Sequence, residues 1–347
     1  MLVDFVSMSA QEKQDFVVSL GEHSFRAKQI DQWIYGQSVI DYELMTNLSM
    51  EFRERLTNSG VPVINATIMA EKRVKTTQKM AISLADKEVV EIVIMRYHYG
   101  ITLCLSSQVG CRMACTICAS GKAGFKRNLS AEEMVTQVLM ANAQLKMTGE
   151  RITHLVMMGM GEPLDNYEQT IRFLQLATSK DGLNISARRI TVSTCGLVPQ
   201  IDRLANEGLA ITLSISLHAP IDEIRNQIVP MGKIYRIGVL MASIRRYSEK
   251  TGRRVTFEYA LIKDVNDSQR CANELVAQLK GLPAHVNLIG LNPVPGSLWK
   301  SSNEARIRRF AQLLELGGLH ATIRRELGRE IEGSCGQLSM KITKQEE

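Results

Sequence analysis

Residues 101–118 read Ile101-Thr102-Leu103-Cys104-Leu105-Ser106-Ser107-Gln108-Val109-Gly110-Cys111-Arg112-Met113-Ala114-Cys115-Thr116-Ile117-Cys118. The opening residues are mostly apolar or β-branched and suit a buried strand. In the loop that follows, Cys111, Cys115 and Cys118 form a C-x3-C-x2-C pattern. Three thiolates at this spacing can each bind one iron of a 4Fe–4S cluster, where the usual all-cysteine site supplies four. The fourth iron is then open to another ligand. The competing reading is structural zinc with Cys104 as fourth ligand. Zinc sites usually pair two well-separated hooks, and a C-x6-C-x3-C-x2-C string does not look like that. A redox dithiol of Cys115 and Cys118 alone leaves Cys111 unexplained.

Outward from this stretch, β-branched runs at 152–158, 189–193, 211–217, 255–261, 285–289 and 321–324 follow the run at 101–105. Helical segments near 131–147, 166–178, 199–207, 237–250, 268–280 and 303–316 separate them. This rhythm predicts parallel βα units in a barrel or open sheet. Glycine-rich or polar segments directly follow the strands: Gly159-Met160-Gly161-Glu162-Pro163, Ser193-Thr194-Cys195-Gly196, Ser216-Leu217-His218-Ala219-Pro220, Asn292-Pro293-Val294-Pro295-Gly296 and Gly333-Ser334-Cys335-Gly336. Active sites of β/α barrels form at the C-terminal strand ends, so these segments are expected to meet at one mouth. Upstream, Ser9-Ala10-Gln11-Glu12 is a capping box ahead of a first helix. A second helix, 25–35, stops at Gly36, and a third spans 51–56. Residues 61–96 read as extended, ending in the run Val89-Val90-Glu91-Ile92-Val93-Ile94.

At 347 residues the chain can bury enough surface to fold without disulfides. Its seven cysteines are an odd count, which argues against a secreted disulfide framework. No apolar run approaches the roughly 20 residues of a membrane span, and Met1-Leu2-Val3-Asp4 shows no basic leader. A cytoplasmic protein without membrane contact is expected. The net charge of +6 suits a polyanionic partner but decides nothing alone.

The cysteine loop resembles that of the radical SAM superfamily, in which S-adenosylmethionine (SAM) chelates the open iron through its amino and carboxylate groups. Over nearly its whole length the chain resembles the RlmN/Cfr family of radical SAM RNA methyltransferases, closer to the RlmN branch. The resemblance is carried by Phe25-Arg26-Ala27-Lys28-Gln29-Ile30, Trp33-Ile34-Tyr35 and Met45-Thr46-Asn47-Leu48-Ser49 near the N-terminus. In the core it is carried by Ser106-Ser107-Gln108-Val109-Gly110-Cys111, Gly124-Phe125-Lys126-Arg127-Asn128-Leu129, Met158-Gly159-Met160-Gly161-Glu162-Pro163-Leu164, Ser216-Leu217-His218-Ala219-Pro220 and Cys335-Gly336-Gln337-Leu338. It implies an α/β fold: a partial (β/α)6 radical SAM barrel, residues 91–347, behind a small helical accessory domain and linker, residues 1–90.

The resemblance also implies the reaction. An adenine carbon lies in an electron-poor amidine and cannot attack the methyl of SAM directly, so a cluster that reduces SAM supplies a radical route. Two SAM molecules serve each turnover. One methylates Cys335; the other, cleaved at the cluster held by Cys111, Cys115 and Cys118, yields the radical that removes a hydrogen from that methyl. The methylene radical adds to adenine, Glu91 accepts the substrate proton, and Cys104 releases the product by forming a disulfide with Cys335. Gly161, Glu162, Ser193, Ser216, Leu217, His218 and Asn292 match positions that hold SAM. The implied substrate is carbon-2 of an adenosine in 23S rRNA, with tRNA a further candidate. A flavodoxin or ferredoxin would reduce a monomeric enzyme. Carbon-8 methylation and a non-catalytic zinc-stabilised RNA-binding protein are the alternatives.

Taken singly, these residues have plainer readings. Cys335 would be a buried free thiol, Cys104 core filler, and Glu91 the exposed side of an edge strand. Cys271 reads as a helix-buried thiol and Cys195 as packing. Arg188-Arg189, Arg253-Arg254, Arg306, Arg308-Arg309 and Arg324-Arg325 are candidates to line the barrel mouth and hold phosphates. The chain departs from the family pattern at Val229-Pro230-Met231-Gly232, Glu332-Gly333-Ser334-Cys335, Ser193-Thr194-Cys195-Gly196 and Ile289-Gly290-Leu291-Asn292-Pro293. None of these removes a reacting group. Gly333 is expected to loosen the loop carrying Cys335.

Overall fold

In the computed structural model, which describes residues 4–324 and 327–338, ten strands form one sheet. Three antiparallel strands come first: β1 (Thr67–Val74), β2 (Thr77–Ser83) and β3 (Val89–Tyr97). β4 (Gly100–Cys104) pairs antiparallel with β3 and parallel with a later strand, so it joins the two halves of the sheet. A separate two-stranded ladder, β5 (Gln108–Gly110) with β6 (Phe125–Asn128), brackets the cysteine loop. The main sheet continues with β7 (His154–Met157), β8 (Ile190–Thr194), β9 (Thr212–Ser216), β10 (Val255–Leu261), β11 (Ala284–Gly290) and β12 (Ala321–Ile323), each parallel to its neighbour. The expected parallel βα barrel core is therefore present, with β12 a short seventh parallel strand.

The helices fall where hydrophobic periodicity and caps put them. Ser130 and Glu133 form a capping box that starts the helix Ala131–Lys146, whose apolar positions are buried against the sheet. Tyr167–Thr178, Ile237–Thr251, Gln269–Leu279 and Glu304–Leu316 repeat the pattern. Two short α-helices, Ala119–Ala123 and Asp222–Ile228, have no sequence expectation behind them; at two turns or fewer they are too short to show a period.

The N-terminal helices Ala10–Ser19, Arg26–Asp31 and Met50–Asn58 pack around Phe5, Val17, Ile30, Ile34, Met45, Phe52 and Leu56, all essentially fully buried. Ser9 and Glu12 close the expected capping box. The second helix does not run straight to Gly36: its last turn widens into a π-helix, Gln32–Gly36. Residues 61–66 are not part of a strand, contrary to the extended reading. Pro62 has no N–H to give a ladder, and the carbonyls of Pro62 and Val63 accept instead from Phe5 and Val6 at 2.9 and 3.1 Å. No helix among the described residues is long and apolar enough to cross a membrane.

Candidate active site

After β4 the chain turns under the first helix of the barrel. Gln137, fully buried, accepts from the Ser106 N–H at 2.8 Å and donates to the Ser106 carbonyl at 3.0 Å. Asn166 donates to the carbonyls of Ser107 and Leu129 at 2.9 and 2.7 Å. These bonds set the root of the cysteine loop, and the β5–β6 ladder closes its neck. Gly110 sits there at φ +75°, and a Cβ on it would stand 1.8 Å from the Gly124 carbonyl oxygen, which already accepts from the Cys111 N–H at 2.9 Å. Gly110→Ala is therefore expected to destabilise the loop by about 2 kcal/mol or more. A lower Tm and less iron bound per chain would show it; an unchanged Tm would refute this account of the neck.

Cys111, Cys115 and Cys118 line one cavity, together with Gly161, Glu162, Ser193, Ser216, His218, Asn292 and Cys335. It encloses about 970 Å³ of space, part of it open to solvent, which suits a small cofactor with its ligand. The five glycine-rich or polar segments do meet at the C-terminal strand ends. Leu217, between Ser216 and His218, is fully buried in the core and does not line the cavity.

No three His, Cys, Asp or Glu side chains among the described residues converge closely enough to hold a single metal ion. The arrangement of the three cysteine thiols is spread along one cavity. It fits a 4Fe–4S cluster, in which each thiolate takes a different iron. Cys104, the proposed fourth zinc ligand, lines a different cavity. Burial pushes the Cys111 thiol up to about 12 and Cys115 well above its usual value. Loading iron must therefore displace protons.

The polar groups of the cavity are pre-set. Glu162 is buried, which pushes its carboxyl up to about 7, while the N–H groups of Cys195 and Leu164 donate to it at 2.8 and 3.1 Å. His218 is pulled down to about 3 by burial, so its ring is neutral. Its Nδ1 accepts from the Ala260 N–H at 3.1 Å, which leaves Nε2–H as a donor. Asn292 donates to the Cys335 carbonyl at 3.0 Å, and its buried Oδ1 has no partner among the described residues.

Cys335 arrives on the C-terminal segment, which is tied to the cysteine loop. The Ala119 N–H donates to the Gly336 carbonyl at 2.7 Å, and Ser120 Oγ donates to that of Leu338 at 2.6 Å. Gln337 donates to the Pro293 carbonyl at 3.1 Å. A Cβ on Gly333 would make only ordinary contacts, so its freedom is not what places the loop. Beyond the cluster cavity, Cys335 also lines a second, smaller one with Cys104, Met158, Asn292 and Arg324. Burial pushes the Cys104 thiol up to about 12. Cys104 and Cys335 are not joined: all seven cysteines are free, so the disulfide implied by the resemblance is absent from this state.

Glu91 lines neither cavity. It is 4% exposed on the interior strand β3, which overturns the edge-strand reading, and it pairs with Lys79 Nζ at 2.8 Å. Cys271 is buried on its helix, as read from the sequence. Cys195 does more than pack. It lines the cluster cavity, and its carbonyl accepts from the buried Arg225 at 2.5 Å.

The arginine pairs do not line the mouth as expected. Arg188, Arg189, Arg253 and Arg254 precede β8 and β10 and so lie at the opposite end of the sheet. Arg306 pairs with Asp264 and Asp267, and Arg308 with Glu304. Arg325 lies outside the described residues. Arg324 is the exception: its Nη1 approaches Cys335 Sγ at 3.1 Å. The neighbouring Cys335 sulfur, the largest influence, raises the arginine above its ordinary value. The sequence reading also missed Glu258. Its signal was a lone carboxylate on the inward alternation Thr256, Glu258, Ala260 of an otherwise apolar strand.

Residues 3–61 match the family described as the ribosomal RNA large subunit methyltransferase N-terminal domain, and residues 105–272 match the radical SAM superfamily. The chain is 44% identical to a probable dual-specificity RNA methyltransferase RlmN of Lachnoclostridium phytofermentans, over 98% of this chain and 95% of that one. It is 46% identical to its namesake from Symbiobacterium thermophilum, over 95% and 90%. A crystal structure of a radical SAM methyltransferase from Sphaerobacter thermophilus superposes with a TM-score of 0.92 at 43% identity, covering 98% of this chain and all 100% of that one. A chain that shares both core and full-length fold with such enzymes is a radical SAM methyltransferase, dependent on a 4Fe–4S cluster and SAM. It belongs to the RlmN family of RNA methyltransferases.

Proposed function

We propose that this enzyme methylates carbon-2 of an adenosine in 23S rRNA, and that it also accepts tRNA. The observation that carries the reading is the position of Cys335, which borders both the three-cysteine cavity and the cavity of Cys104. Only a thiol so placed can take a group from one side and be relieved of it from the other.

In this reading Cys111, Cys115 and Cys118 hold the cluster, and Gly161, Glu162, Ser193, Ser216, His218 and Asn292 hold SAM, with Leu217 packed behind them in the core. Bound there, the cluster and SAM supply a one-electron route to a carbon radical, with a flavodoxin or ferredoxin as reductant. The neutral Nε2–H of His218 and the free Oδ1 of Asn292 offer one donor and one acceptor to orient SAM. Cys335 carries the methyl group, taken from a first SAM before a second is used. Arg324, whose Nη1 lies 3.1 Å from the Cys335 sulfur, holds that sulfur in place to accept the methyl. The resemblance makes Glu91 the acceptor of the proton from the substrate carbon; in this state it lines neither cavity and is held by Lys79 at 2.8 Å, so it is not yet placed for that step. Cys104 Sγ attacks Cys335 Sγ to form a disulfide, the bond from sulfur to the transferred carbon breaks with its electron pair going to that carbon, which takes up a proton, and a two-electron reductant later restores both thiols.

Residues 1–90 serve in this proposal as an accessory RNA-facing region and 91–347 as the catalytic barrel, with β1 and β2 extending the barrel's own sheet. The expected location is the cytoplasm, where cysteines stay reduced.

Anaerobic purification should yield a brown protein with about four irons per chain, and removing the iron should abolish SAM cleavage. Mass spectrometry of RNA from cells with and without the protein should show 2-methyladenosine only in the former. A colourless protein, or RNA unchanged by its loss, would sink the reading.

A further inference from the structure

Below the cluster cavity the interior of the barrel continues into a second chamber that opens at the N-terminal strand ends, enclosing about 910 Å³ of space. Its rim carries exposed Arg188 and Arg189, and Tyr99, which is 55% exposed and stacks on Tyr97 at 5.0 Å between ring centroids. Arginines that hold phosphates beside an exposed aromatic face are the usual equipment for a single-stranded nucleotide. At the boundary between the chambers stands Glu258, which borders both. It is 4% exposed. Its Oε1 accepts from Ser214 Oγ at 2.9 Å and Asn287 Nδ2 at 3.1 Å, but its Oε2 has no partner among the described residues. A buried acceptor left unpaired is costly, and in a ligand chamber the missing donor is expected from the ligand.

We infer that the target adenosine enters through this lower chamber, and that Glu258 Oε2 accepts a hydrogen bond from its exocyclic amino group. The inference rests on the proposed RNA methylation and adds a specificity-determining residue to it. Of the hydrogen-bonding groups on the adenine ring, the amino group is the donor and the ring nitrogens are acceptors, so a carboxylate oxygen can pair only with the amino group. Arg324, which lines both chambers and reaches Cys335 Sγ, marks the level at which the reacting carbon must sit. SAM enters from the other side: Ala260, the next inward residue of β10, lines only the cluster cavity, while Thr256 lines only the lower chamber.

The test uses RNA oligonucleotides that span the adenosine found by mass spectrometry, one with adenosine and one with purine riboside, which lacks the amino group. The iron-loaded enzyme should bind the adenosine RNA on the order of tenfold more tightly and show a similar preference in kcat/KM. In Glu258→Gln, which is nearly isosteric and turns an N–H toward the ligand, that preference should collapse, with iron content checking that the protein is folded and loaded. Equal binding of the two RNAs by the wild-type enzyme overturns the inference without any variant. So does a Glu258→Gln enzyme that keeps the preference, or one that loses SAM binding instead. An enzyme that methylates neither RNA overturns the parent reading and this one with it.

Discussion

Cys104→Ala is expected to leave RNA covalently attached to the protein through Cys335. Cys104 ends β4, buried and free, and shares a cavity with Cys335 that the three cluster cysteines do not line. Alanine fits this position with only a small loss of packing, so the fold and the cluster loop should survive. What disappears is the nucleophile that cleaves the bond between Cys335 and the transferred carbon. Turnover should then stop after one event per enzyme, a loss on the order of a thousandfold or more for removal of an essential nucleophile. A denaturing gel of radiolabelled RNA would show a species that moves with the protein and vanishes on ribonuclease digestion. Normal multiple turnover by Cys104→Ala would refute the assignment.

Cys335→Ala should have the other large effect: no methylated RNA at all, with SAM cleavage still detectable. In the proposed site, cluster and SAM are held by residues from other segments, so their chemistry should not need this sulfur. The methyl group, however, has no other carrier, because Cys104 lies outside the cluster cavity. Arg324 would lose its sulfur partner and sit buried beside an apolar methyl, costing stability of about 1–3 kcal/mol. Parallel assays for 5′-deoxyadenosine and for methylated adenosine separate the two activities. Methylated product from this variant would end the methyl-carrier role, and loss of SAM cleavage would show a structural role instead.

The two readouts fail in different ways, which makes the pair informative. A covalent adduct in Cys104→Ala requires Cys335 to have reacted. Silence in both variants would point upstream, to the cluster or to RNA binding.

The sequence was legible wherever the physics is local. Capping boxes at Ser9 and Ser130 mark helix starts because the side chain and the amide it caps are three residues apart. The βα alternation is visible because strands and helices have different periods. It failed at Asp222–Ile228, too short to show a period, and at 61–66, whose partners are residues from the start of the chain. Arg188 and Arg189 were assigned to the wrong end because a flanking charge does not tell which mouth it faces. Their place before β8 does, once the strands are known to run parallel. Glu91 reads as an exposed carboxylate until its ion pair with Lys79 on the neighbouring strand is seen.

By itself the sequence marked the candidate cluster ligands and the barrel class, since three thiols on one short loop and a repeating strand–helix rhythm are properties of neighbouring residues. Only the tertiary structure decided that Cys335 borders both the cluster cavity and the cavity of Cys104, and that Glu258 keeps an oxygen without a partner among the described residues between two chambers. Those facts depend on side chains brought together across the sheet from distant segments. Their distances are set by packing and strand register, which residue order alone does not encode.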